Sequence, residues 1–277
     1  MNTPSTQTIF AAVIADDLPA INKLLDADPM LVHARFANEP TKQFTPLQMA
    51  ASKGLLDVCR LLVDRGAEVY TNPMNTYPPV IQADWGKHQA VVKYFLEEIP
   101  DKAAGTNGLG VMLNLAARQG WIDIVRKHIE RDPLAVHQRG WIGDTPLHWP
   151  SHNNFAEIVT VLLDAGADIE ADEIRWLGGK PLIWASEHAP KSVEVLLKHG
   201  ANVNTRNIKA GSKFEGVTPL IMNATQKDDC SEVTELLLAA GADINAVDTK
   251  GMTALAHATA LGLTKIPEVL RRAGAKG

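Results

Sequence analysis

One short motif recurs along this chain at a nearly fixed period. Thr-Pro-Leu stands at Thr45-Pro46-Leu47, Thr145-Pro146-Leu147 and Thr218-Pro219-Leu220. Degraded copies stand at Tyr77-Pro78, Val111-Met112-Leu113, Lys180-Pro181-Leu182 and Thr253-Ala254-Leu255. With the middle residue as a ruler, the copies fall at 46, 78, 112, 146, 181, 219 and 254, in steps of 32 to 38 residues. Gly-Ala pairs close the units at Gly66, Gly166, Gly200, Gly241 and Gly274. A period of this length marks an array of small units that bury their apolar faces only by stacking.

The chemistry of one unit explains its shape. Thr supplies an oxygen that caps a helix, and Pro suits the first helical position, where its missing N–H costs nothing. Small residues follow, as in Ala50-Ala51 and Ala116-Ala117, and let neighbouring helices approach. A second helix carries an apolar stripe, Ile158, Val159, Leu162 and Leu163, and a glycine such as Gly166 ends it in the left-handed conformation.

The stretches Gly143-Asp-Thr-Pro-Leu-His148 with Leu162 to Asp168, and Leu237 to Asn245, resemble the ankyrin repeat family. The resemblance covers nearly the whole chain. It implies an all-α repeat solenoid of helix–turn–helix units joined by β-turn fingers. The expected organisation is a single domain over 1–277, with an N-terminal capping unit (1–37), central repeats (38–250) and a C-terminal capping repeat (251–277). The capping unit, Ile9 to Leu25 followed by Asp28-Pro29, has no Thr-Pro-Leu. The count is a cap plus about seven repeats.

Charge and composition narrow the function. The net charge is −5, with no run of Lys and Arg, so no nucleic-acid partner is expected. There is no run of 18 apolar residues and no signal-peptide pattern at the start, so neither a membrane span nor secretion is expected. Cys59 and Cys230 have no metal-type or redox-type spacing and fit the cytoplasm. Cys59 reads as a small core residue. No phosphate loop and no nucleophile motif occurs; the glycines of Gly105 to Gly110 sit in a finger.

In the ankyrin family the first helices and the fingers form a concave binding groove, at offsets +3, +6, +7 and −5 from the ruler. Here +3 reads Met49, Ile81, Leu115, Trp149, Trp184, Met222, His257. Offset +6 reads Ser52, Asp84, Arg118, His152, Glu187, Thr225, Ala260, and +7 reads Lys53, Trp85, Gln119, Asn153, His188, Gln226, Leu261. Trp141, Trp176 and Phe214 fall at −5. Five of the six tryptophans thus lie in groove registers, and tryptophan supplies large rigid contact area. Trp149 and Trp184 read equally well as core between repeats. Pro150 and Asn223 break the family's small-residue pattern at +4.

Two functions follow. The first is a recognition scaffold that binds a protein or peptide partner through Trp85, Trp141, Trp149, Trp176, Trp184 and Phe214, with Asn153, Gln119 and Asn223. The alternative is a small-molecule enzyme, a lyase, isomerase or hydrolase. There His152 or Glu187 is the acid or base, His188 the second proton-transfer group, Arg118 an anion holder and Asp84 an orienter. The bland reading of the same ladder is a hydrated set of charges. No metal and no cofactor is expected. His148 and His152 have a ligand spacing but lack a third ligand, and the family's histidine after Thr-Pro-Leu ties one repeat to the next. His33 and His137, in matching Asp-Pro-x-x-Val-His segments, read as structural. The long fingers, Arg35 to Phe44 and Thr205 to Gly216, would overhang the groove as lids.

Overall fold

The computed structural model describes residues 4–39, 42–69, 77–99, 109–140 and 142–276. Its contacts divide it into two compact units, residues 1–108 and 109–277. Among the described residues sixteen α-helices alternate as inner and outer members of repeats.

In the first unit, α1 (Pro4–Ile14) and α2 (Leu18–Ala27) form the pair without Thr-Pro-Leu. The repeats follow as α3 (Pro46–Lys53) with α4 (Leu56–Asp64), then α5 (Pro79–Trp85) with α6 (Gln89–Glu98). Thr45 caps α3 in a reciprocal box. Its Oγ1 accepts from Gln48 N–H at 3.2 Å, and Gln48 Oε1 accepts from Thr45 N–H at 2.8 Å. Gln48 Nε2 then donates to the Tyr77 carbonyl at 2.9 Å, which ties this repeat to the next. Buried Val58, Cys59 and Leu62 form the stripe of α4, and burial pushes the Cys59 thiol up to about 12.

The first long finger is not helical. It folds as a hairpin of β1 (Phe36–Glu39) and β2 (Lys42–Phe44), with Phe36 opposite Phe44. Phe36 lies 5.1 Å from Phe10 of α1, ring to ring. This hairpin adds a small sheet to an array expected to be wholly α, and its packing on α1 pins the finger down.

The second unit comprises α7 (Leu109–Gln119) with α8 (Ile122–Arg131), α9 (His148–His152) with α10 (Ala156–Asp164), and α11 (Pro181–Ala185) with α12 (Pro190–Lys198). It continues with α13 (Pro219–Ala224) and α14 (Ser231–Ala239), then α15 (Ala254–Ala260) and α16 (Lys265–Arg272). Thr218 and Thr253 cap their helices as expected. Thr145 does not. Pro150 has no N–H to give the Pro146 carbonyl, so the regular helix starts at His148. The outer helices stack in order, α10 on α12, α12 on α14, α14 on α16. Gly166, Gly200, Gly241 and Gly274 follow their ends at φ of 87° to 93°.

The Asp-Pro-x-x-Val-His segments are 3₁₀ turns, Pro29–His33 and Pro133–His137, capped by the carboxylates of Asp28 and Asp132.

Candidate binding site in the second unit

The fingers of the second unit are built around buried polar side chains. Glu173 is buried, and its carboxylate accepts main-chain N–H groups from Arg175, from Trp176 at 2.6 Å and from Gly178 at 2.7 Å. These bonds fix the loop that carries Trp176. Asn207 does the same for the following finger: Oδ1 accepts from Lys209 N–H at 3.0 Å, and Nδ2 donates to the Leu177 carbonyl at 2.9 Å. Ser212 Oγ also donates to Leu177, at 2.6 Å, and Lys209 Nζ donates to the Ile174 carbonyl at 2.9 Å. The finger from Thr205 to Gly216 is therefore stapled to its neighbour, not poised as a lid. Ile174 and Ile208 project from the same two fingers and, like Trp176, are exposed, at 52%, 72% and 54%.

His148 is the tie between repeats. Its Nδ1 accepts from Thr145 N–H at 3.0 Å, which leaves Nε2 to donate to the Gly179 carbonyl at 3.3 Å. Burial holds its pKa down to about 4, so it stays neutral. It is no metal ligand and no partner of His152.

The inner-helix ladders divide by depth. The +3 register is mostly core: Met49, Ile81, Leu115, Trp184 and Met222 are all buried. Trp184 is 6% exposed and its Nε1 donates to the Gly178 carbonyl at 3.0 Å. This corrects its assignment as a surface anchor. Trp149 is half-buried, edge-on to Trp184 at 5.3 Å between ring centroids, with the Arg118 guanidinium 5.4 Å from its own ring. Trp176 also stands edge-on to Trp184, at 6.2 Å between centroids.

In the second unit the +6 and +7 residues are less buried, and three of them converge. His152, at the end of α9, meets Glu187 and His188, which follow α11. His152 and Glu187 are each 23% exposed, and His152 Nδ1 stands 3.8 Å from Glu187 Oε2. The rings of His152 and His188 are 4.5 Å apart. Burial pushes Glu187 up to about 7, against the pull of Lys213. Burial, then His188, hold His152 below its usual value, partly offset by the nearby main chain of Trp184. Burial thus favours the neutral form of both His152 and Glu187.

The remaining expected residues are placed as follows. Asn153 Nδ2 donates to the Arg118 carbonyl at 3.0 Å and so joins two repeats. Gln119 is half-buried. Phe214 is half-buried beneath the Lys213 ammonium, 4.5 Å from its ring. Asn223 is fully buried, and its Oδ1 accepts from Thr234 Oγ1 at 2.6 Å. It packs between helices and cannot touch a partner, which corrects its assignment. Trp141 lies outside the described residues. In the first unit Asp84 is buried, whereas Trp85 is 48% exposed and edge-on to Tyr77 at 4.5 Å.

Sequence reasoning missed the Glu173 and Asn207 turns; a polar residue ahead of a glycine in two successive fingers was the available signal. The spacing of His148 and His152 along one helix does not make a ligand pair; the donor groups beside His152 are Glu187 and His188 of the next repeat.

Comparison with known proteins agrees with this architecture. The family description "Ankyrin repeats (3 copies)" matches residues 113–207, and "Ankyrin repeat" matches 42–72 and 215–249. Together they span more than half of the chain. The chain belongs to the ankyrin repeat family. Among curated relatives it is 28% identical to the ankyrin repeat and KH domain-containing protein mask-1 of Caenorhabditis elegans, over 84% of this chain and 10% of that protein. It is 25% identical to the mouse B-cell lymphoma 3 protein homolog, over 83% of this chain and 47% of that one. It is 33% identical to the E3 ubiquitin-protein ligase KEG of Arabidopsis thaliana, over 48% of this chain and 8% of that one. The chain spans less than half the length of each. Ankyrin repeats as a class mediate protein binding, and no helix among the described residues is long and apolar enough to cross a membrane.

Proposed function

We propose that this ankyrin repeat array binds a protein or peptide partner through the tryptophan-bearing face of residues 109–277. One observation carries the reading. Ile174, Trp176 and Ile208, all exposed, stand on two fingers held rigid by buried polar side chains. Apolar groups presented on a preorganised support lose little entropy when a partner covers them. Trp149 continues the line of rings inward through Trp184. Lys213, whose ammonium lies 4.5 Å over the Phe214 ring, favours a partner segment that sets a carboxylate beside its apolar groups.

The test is selection from a displayed peptide library against the full chain, followed by affinity measurement. Trp176→Ala is expected to weaken the selected peptides at least tenfold, with Ile208→Ala weaker in effect. Leu134→Ala, an equally exposed apolar residue on a 3₁₀ turn, is expected to change nothing. Peptides that bind the Trp176 variant as tightly as the wild type would overturn the proposal.

A second reading is favoured by the convergence of His152, Glu187 and His188 beside Trp149 and Trp184: a small-molecule site, with Arg118 over Trp149 as an anion contact. A thermal-shift screen of metabolites on wild type and on His152→Ala/Glu187→Ala distinguishes the two, since a native-state ligand raises the melting temperature only where its site persists.

A further inference from the structure

Repeat packing does not account for the cluster of His152, Glu187 and His188. One ligand-type atom from each of these residues lies within 4.8 Å of the others. They come from consecutive repeats, His152 from the end of α9 and the other two from the turn after α11. His152 Nδ1 is shut off from solvent and has no hydrogen-bond partner among the described residues. Its separation from Glu187 Oε2, 3.8 Å, is too long for a hydrogen bond. Buried polar atoms nearly always have a partner, so one left over needs an explanation. Two donors that share an ion, each at about 2.0–2.2 Å from it, stand ~3–4 Å apart; His152 Nδ1 and Glu187 Oε2 are at that spacing, 3.8 Å, and all three donors fall within 4.8 Å, so binding draws the set together.

We propose that His152, Glu187 and His188 bind one divalent first-row transition ion of the zinc class, through two imidazoles and one carboxylate. The donor set selects the ion: imidazole suits zinc and its neighbours, whereas calcium and magnesium take oxygen ligands throughout. Three protein donors leave at least one coordination position for water or a ligand atom. The rings of Trp149 and Trp184 flank His152, at 5.9 Å and 6.3 Å between centroids. The ion site does not depend on the peptide reading; it would deepen the small-molecule reading by giving a ligand an atom to bind.

The test uses the full chain, freed of any affinity tag and of metal by chelation, titrated calorimetrically with Zn²⁺ and spectroscopically with Co²⁺. One ion per chain is expected, at micromolar affinity or tighter, with visible Co²⁺ absorption and quenching of tryptophan fluorescence. His152→Ala, Glu187→Gln and His188→Ala should each weaken binding at least tenfold while far-UV circular dichroism is unchanged. His199→Ala, near Asp164 on the outer helices, should bind as the wild type does. His188 is exposed, so its variant keeps the test sound if the others fold poorly. Affinity no better than millimolar, or binding that ignores these three substitutions, overturns the proposal. Either failure leaves the peptide result on Trp176 standing.

Discussion

Asp144 shows how a single side chain imposes a pH dependence on its repeat. It is buried close to Gly140 and Asn114, and its Oδ1 has no hydrogen-bond partner among the described residues. Burial, helped by Glu173, pushes its carboxyl up to about 6, against Arg118 and Arg139. An unfolded aspartate titrates near about 3.9. The folded state therefore resists ionisation of this group. The cost is absent below about pH 4, grows as pH rises, and is complete above about pH 6. Asp144→Asn is expected to stabilise the chain at pH 7.5 by up to about 3 kcal/mol and to leave it unchanged at pH 3.5. Denaturant unfolding of both proteins at the two pH values checks the sign. At this scale the sequence was only partly legible. The exposure of Trp176 followed from its finger register. The burial of Trp184 did not, because it depends on a loop that folds back to offer the Gly178 carbonyl.

Elements in this chain are capped by their neighbours as well as by their own residues. α16 starts without a side-chain cap from Thr264. Asp229, in the loop before α14 and at φ 47°, supplies one instead. It accepts N–H groups from Thr264 at 3.0 Å, Lys265 at 2.9 Å and Ile266 at 2.9 Å. Desolvation would raise its pKa, but these bonds outweigh it and hold the carboxyl at about 2. Its contribution is complete above about pH 4 and is lost as pH falls toward 2. Asp229→Ala is expected to destabilise the chain by about 1–2 kcal/mol at pH 7, an ordinary cap loss, with most of the difference gone by about pH 2. Amide hydrogen exchange at Lys265 and Ile266 locates the effect. The helices with Thr caps were legible because capping is local. The late start of α9 was not, although Pro150 visibly breaks the pattern. The first long finger gave no sign that it pairs as strands.

At the scale of the whole chain, stability is a sum over neighbouring repeats. α15 and α16 cover α13 and α14, and they bury Leu255, Ile266 and Leu270. Removing residues 251–277 is expected to lower the stability of the remainder by on the order of 3 kcal/mol, through re-exposed apolar surface. Binding of a fluorescent apolar dye should rise with it. A shortened chain as stable as the full one would mean that the last repeat docks without covering the one before it. The sequence by itself determined the period, the alternation of inner and outer helices and the glycine ends, since each depends on residues within a few positions of one another. Only the tertiary structure decided which rungs touch. His152 meets Glu187 and His188, and Trp149 meets Trp184, because successive repeats are laid side by side at a spacing and tilt that no single repeat encodes. The finger from Thr205 to Gly216 was decided the same way, since Asn207, Ser212 and Lys209 find their partners on the preceding finger.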